Sequence, residues 1–113
     1  MSIKTEDYEI AYDPDLQQIQ MTGILRLNGM SEYQPIMDML LEALSQSNAL
    51  TLDLTKLEFL NSSGISMLSM FVVKVRTNGT IELRVQGSKQ VFWQTKSLKN
   101  LQRLMPSLIL EIS

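Results

Sequence analysis

Leu50-Thr51-Leu52-Asp53-Leu54, followed by Phe59-Leu60-Asn61-Ser62-Ser63-Gly64-Ile65, is the stretch on which the fold turns. Leucines alternate with Thr51 and Asp53 at period two, which predicts a strand running on through Lys56-Leu57-Glu58-Phe59-Leu60. Asn61-Ser62-Ser63-Gly64 ends it. From Ile65 to Arg76 the chain is mostly apolar, too long for a core strand, and Asn78-Gly79 closes it as a helix C-terminus. This helix carries two apolar faces, Ile65, Leu68, Val72 and Val75 on one, and Met67, Met70 and Phe71 on another with Lys74 one turn on.

Upstream, Tyr8, Ile10 and Tyr12 alternate with polar or small residues, Asp13-Pro14-Asp15 supplies turn chemistry, and Ile19, Met21, Leu25 and Leu27 share a face, so a hairpin is predicted. Gly23 inside its second strand marks either a bulge or close backbone approach, or a merely tolerated glycine. Ser31 and Gln34 have capping-box spacing, and Tyr33, Ile36, Met37, Leu40, Leu41 and Leu44 recur at helical intervals. Pro35 leaves the start of this first helix open between a Ser31 cap and Pro35 itself. Downstream, Ile81, Leu83 and Val85 form a further strand. Ser88 is placed to cap a short helix through Val91, Phe92 and Trp93, Leu98, Leu101 and Leu104 continue at helical spacing after a break near Ser97, and Leu108, Leu110 and Ile112 make a last strand. An initial hairpin followed by alternating helices and strands predicts an α/β fold, a mixed and largely parallel sheet with helices packed against it. No linker or repeat divides the chain, so residues 1–113 are expected to form a single domain.

Composition removes most enzymology. The chain has 113 residues, ten Lys plus Arg, twelve Asp plus Glu, a formal charge of −2, and neither His nor Cys. Disulfides, zinc fingers, thiol nucleophiles, haem histidines and Ser-His-Asp triads all need an absent residue type. No basic segment followed by an apolar run begins the chain and no stretch approaches a membrane span, so a cytoplasmic protein is expected. A mildly acidic chain with scattered cations has little drive towards nucleic acid or anionic lipid. Asp13, Asp15 and Glu32 lack the spacing of a calcium loop, and neither a nucleotide-binding glycine motif nor a G-x-S-x-G elbow is present, so no metal or cofactor is expected.

The two hydroxyls and glycine between strand and helix are the one unusual local feature. Helix N-termini carry unpaired N–H groups and a positive dipole end, so a hydroxyl here caps the helix and a phosphate here is stabilised. Two readings stand together: Ser62 or Ser63 is a cap only, or one of them is a modification site with Gly64 keeping the approach open. The stripe of Met67, Met70 and Phe71 suits either core packing or a docking surface, and Trp93 beside Phe92 is expected to pack.

The element order, with Leu50–Leu54 and Phe59–Ile65, resembles the STAS family, the domain of bacterial anti-sigma factor antagonists. In that family the strand enters a D-S-S/T-G-type turn whose hydroxyl is phosphorylated by a serine kinase that also acts as the anti-sigma factor. The resemblance implies phosphorylation at Ser63, with Asn61 standing where the family usually has Asp, which removes a negative charge and leaves a side chain that can still cap. The order leucine, asparagine, hydroxyl is also similar to SiaC-type regulatory phosphoproteins, which by that alignment implies Ser62 instead. Either resemblance implies a non-enzymatic switch in bacterial partner switching and signal transduction, with transcription regulation its best known outlet. Its partners are a serine/threonine kinase or anti-sigma-factor-like protein and a cognate phosphatase, bound through Asn61, Ser62, Ser63, Gly64 and Met67. The alternative is a module binding a nucleotide or lipid, with the serines as caps.

Overall fold

A computed structural model describes residues 1–113. The elements run β1 (Ser2–Lys4), β2 (Tyr8–Asp13), β3 (Gln18–Leu25), α1 (Gly29–Ser45), β4 (Ala49–Leu60), α2 (Ser62–Asn78), β5 (Glu82–Gly87), α3 (Gln94–Leu104) and β6 (Ile109–Ile112). The six strands form one sheet whose spatial order is the chain order. β1, β2 and β3 pair antiparallel, and β3 to β6 pair parallel. Each parallel step needs a crossover, which one helix supplies. The inward alternation (Ile10, Tyr12, Ile19, Met21, Leu50, Leu52, Leu83 and Val85) joins the apolar sides of the helices in one buried cluster. On the opposite face the intervening residues are mostly polar: Asp53 accepts from the Gln18 and Gln20 amides at 3.3 and 3.4 Å, and Arg84 pairs with Glu111 at 2.8 Å. No helix is long and apolar enough to cross a membrane.

β4 departs from simple alternation in a way that builds the site. Its register with β3 slips between Gln20 and Thr22 and again between Gly23 and Ile24, each time with an extra residue on β4. These bulges bring Leu54, Leu57 and Leu60 all to the buried side at three-residue intervals. The displaced carbonyls of Leu54 and Leu57 are met by the buried Gln94, whose Nε2 donates to them at 2.5 and 2.9 Å. Trp93 Nε1 also donates to Leu57 at 3.2 Å, so its expected packing comes with a polar anchor. Gly23 answers to the close-approach reading. It has φ +93°, a Cβ there would run into the Asp7 carbonyl, and Ile24 N–H donates to that same oxygen at 2.8 Å.

Four local expectations are corrected. β1 adds an edge strand that three residues with one apolar member did not announce. The first helix starts at Gly29 after Asn28, and the Ser31–Gln34 pair does not cap it. Instead Glu32 accepts from the Asn28 N–H at 3.1 Å and Gln34 donates to Asp38 at 2.8 Å. Pro35 sits inside the helix on its exposed side, where losing one backbone bond is tolerated. Residues 89–93 form turns rather than a short helix, and α3 runs unbroken through Ser97, because Gln94 anchors its start.

Candidate functional site

The turn is built by Asn61. Its backbone is extended at φ −79° and ψ 176°, and its Oδ1 accepts from Gly64 N–H at 3.0 Å, which makes it the N-cap of α2. The same oxygen accepts from the Tyr33 hydroxyl at 2.6 Å, while Nδ2 donates to the Leu27 carbonyl at 2.7 Å. One side chain therefore ties the β3–α1 connection, α1 and α2 together. The Leu27 carbonyl requires a donor, which an aspartate at this position does not offer.

With Asn61 capping, neither serine does. This overturns the reading of Ser62 or Ser63 as the cap: they occupy the first and second helical positions, with Ser62 exposed and Ser63 half-buried. Their amides point out of the helix start, as the first N–H groups of any helix do. The serines thus stand beside donors, at the positive end of a 17-residue helix.

Two proposed contact residues are displaced from the surface. Gly64 is buried, and a Cβ there would overlap the Leu60 side chain and lie 2.7 Å from the Tyr33 hydroxyl, so it serves close packing and not open approach. Met67 is 0% exposed and packs with Phe71 in the core, which removes it from any docking surface. Met70, at 46% exposure, is the methionine of this stripe that reaches the surface. It lies with Ser69, Val73, Lys74 and Leu104 along an apolar groove of about 370 Å³ between α2 and α3. Helical periodicity grouped Met67 with Met70, and the two are only about 60° apart around the axis, but the edge of the buried face of α2 falls between them.

Tyr33 is fully buried, and that burial pushes its hydroxyl above the ordinary tyrosine range of 10.0, with the Leu27 N–H opposing and Tyr8 adding to the rise. It stays a donor to Asn61. On the other flank Arg26 lies 5.3 Å from the centre of the Phe59 ring, beside the strand ends where Leu25 pairs with Leu60. Sequence reading placed Tyr33 only in the apolar stripe of α1 and passed over Arg26, since the partners of both are set by tertiary contact. Asp13 is spent on its own turn, accepting from Asp15 and Leu16 N–H groups at 3.0 and 3.3 Å.

A bulged central strand delivering a capped helix start, with the helices gathered on one side of a mixed sheet, defines a STAS domain. The family model described as STAS domain matches residues 13–106, and the chain belongs to that family, as its turn had suggested. No curated protein matches by sequence. Among solved structures it is similar to SiaC of Pseudomonas aeruginosa, at 19% identity and TM-score 0.70, with 98% of this chain and 93% of that one covered. It is likewise similar to a chain in the crystal structure of the diguanylate cyclase SiaD in complex with its activator SiaC, from the same organism, at 18% identity and TM-score 0.71 over 99% and 97% of the two chains. At this identity the likeness is one of fold.

Proposed function

We propose that this chain is a non-catalytic regulatory protein of the partner-switching kind, which docks on another protein through Ser62, Ser63 and the exposed flank of α2 and is released by phosphorylation of Ser62. The observation that carries the reading is the division of labour at the turn. Asn61 caps the helix, so the exposed Ser62 hydroxyl is left for a kinase. Ser63, half-buried, is the less accessible of the two. A phosphate adds about −1.5 to −2 charges. At the first turn of α2 that charge is tolerated by the helix, so the change falls on the partner, whose apolar or acidic surface would have to desolvate it.

The partner is a serine kinase or anti-sigma-factor-like protein, with a phosphatase restoring the binding form. The likeness to SiaC, the activator in the SiaD complex, favours a second outlet in which the docked protein is a diguanylate cyclase. Mass spectrometry of the chain isolated from its own cells, combined with affinity capture by wild type, Ser62→Ala, Ser62→Glu, Ser63→Ala and Ser63→Glu, tests the reading. Phosphate on Ser62 and loss of the captured kinase or cyclase with Ser62→Glu alone are expected. Unmodified serines, or capture indifferent to both acidic substitutions, refute it. Thermal stabilisation by a nucleotide or lipid without any protein partner would favour the ligand-binding alternative.

A further inference from the structure

We propose that the two edges of the sheet are complementary to each other, so that copies of this chain associate head to tail, β6 of one copy pairing in parallel with β1 of the next. Strand direction permits it. β1 is antiparallel to β2, β2 is antiparallel to β3, and β3 to β6 are parallel, so β1 and β6 point the same way.

Backbone phase permits it too. In β1, Met1 C=O accepts from Tyr12 at 3.0 Å and Thr5 N–H donates to Tyr8 at 2.8 Å, so odd residues face β2 and Ser2 and Lys4 turn their backbone groups outward. In β6, Ser113 donates to Gly87 at 3.1 Å and accepts from Lys89 at 2.8 Å, so Leu110 and Ile112 turn theirs outward. Placing Leu110 beside Ile3 of the next copy satisfies a parallel ladder. Leu110 N–H meets Ser2 C=O, Lys4 N–H meets Leu110 C=O, and Ile112 N–H meets Lys4 C=O. Leu110 and Ile3 both lie partly buried against the core on the helix side. This register therefore keeps both helix layers on one face and joins two apolar side chains.

Charge then selects the partner. α1 contains Glu32, Asp38 and Glu42 and no cation, whereas α3 contains Lys96, Lys99 and Arg103 and no anion. Asp38 and Glu42 border a groove of about 280 Å³ that reaches Ser2 and Ile3. Lys99 and Arg103 border one of about 720 Å³ that reaches Leu110 and Ile112. All four charges are exposed, and the chain's single salt bridge, Arg84–Glu111, uses none of them. In the parallel arrangement the basic helix of one copy lies against the acidic helix of the next. Such a contact is heterologous, giving a ring or an open chain of copies.

Sedimentation velocity over a concentration series, at about 0.05 and 0.5 M salt, tests the proposal. Wild type is expected to form dimers and larger species that fall away in high salt. Lys99→Glu with Arg103→Glu is expected to lose self-association, as is Asp38→Lys with Glu42→Lys. Mixing those two proteins, or combining all four changes in one chain, restores it. Lys4→Pro, which removes one outward N–H at an edge and leaves every helix charge in place, is expected to weaken it. Circular dichroism confirms that each variant is folded. Wild type that stays monomeric throughout, or charge-reversed variants that associate as wild type does, overturns the proposal.

Discussion

Replacing Asn61 by Ala tests whether this one side chain holds the turn together. The substitution removes the α2 cap, worth about 1 kcal/mol. It also leaves the O–H of the fully buried Tyr33 without its acceptor, only the longer bond from the Leu27 N–H remaining, and leaves the Leu27 carbonyl without its donor at 2.7 Å. A buried polar group without a partner costs about 1–3 kcal/mol; because Asn61 itself is half-buried and water reaches part of the turn, the lower end applies. The sum is about 2–4 kcal/mol, or a fall in Tm of roughly 8–16 °C for a domain of this length. Asn61→Asp separates the contributions. It keeps the acceptor for Gly64 and Tyr33 and gains about 0.3–1 kcal/mol from the helix dipole, but sets a second oxygen against the Leu27 carbonyl. It is expected to be destabilised by less than Ala, and by still less in acid, where the protonated carboxyl donates to Leu27. Urea unfolding followed by Trp93 fluorescence measures both. An Ala variant that loses less than about 0.5 kcal/mol at unchanged m, or an Asp variant more stable than wild type, refutes the reasoning. Tyr33→Phe in the same background closes a double-mutant cycle, with a coupling of about 1 kcal/mol expected.

Gly64→Ala drives a methyl into Leu60 and towards the Tyr33 hydroxyl, so despite better helix propensity it is expected to cost about 1–3 kcal/mol in a thermal or urea melt. Burial raises the folded-state pKa of Tyr33 above 10.0, so its contribution to stability is complete below that value and lost as pH rises through the folded pKa. Tyrosinate absorbance is expected to show one late-titrating ring, absent in Tyr33→Phe. Glu111 is held below 4.5 by hydrogen bonds from Arg84 first and Gln86 second. Its contribution is present above 4.5 and lost as pH falls through the depressed value, and in Arg84→Met a carboxyl NMR titration is expected to move back towards 4.5.

The strands and helices that share one apolar period were legible because burial on one face imposes that period. Leu50, Leu52 and Leu54 announced β4, and the stripe from Tyr33 to Leu44 announced α1. The family was legible in Leu60–Ile65, where strand, turn residues and helix meet. What stayed hidden depends on contacts between distant residues. Asn61, Ser62 and Ser63 can all cap by type, and the cap falls to Asn61, whose remaining hydrogen bonds are completed by Tyr33 and Leu27, 28 and 34 residues away. The continuity of α3 depends on Gln94, whose partners are carbonyls exposed by bulges in β4. Met67 and Met70 have equal hydrophobicity, and only the placing of α1 and α3 decides which of them is buried.

The capping arrangement also constrains how a switch at this turn would work. Were Ser62 the cap, a phosphate on its oxygen would remove an acceptor from the helix start and loosen α2, and the altered helix would transmit the signal. Here the cap is Asn61, bonded to Gly64, Tyr33 and Leu27, and none of those bonds involves a serine oxygen. A phosphate on the exposed Ser62 meets the helix dipole with the favourable sign and leaves the cap in place. The fold therefore changes little on modification, and discrimination falls on the surface that receives the turn. That predicts a simple separation: Ser62→Glu unfolds no earlier than wild type in urea while abolishing capture of the partner. An acidic variant that loses stability and binding together would show that the signal runs through α2 itself.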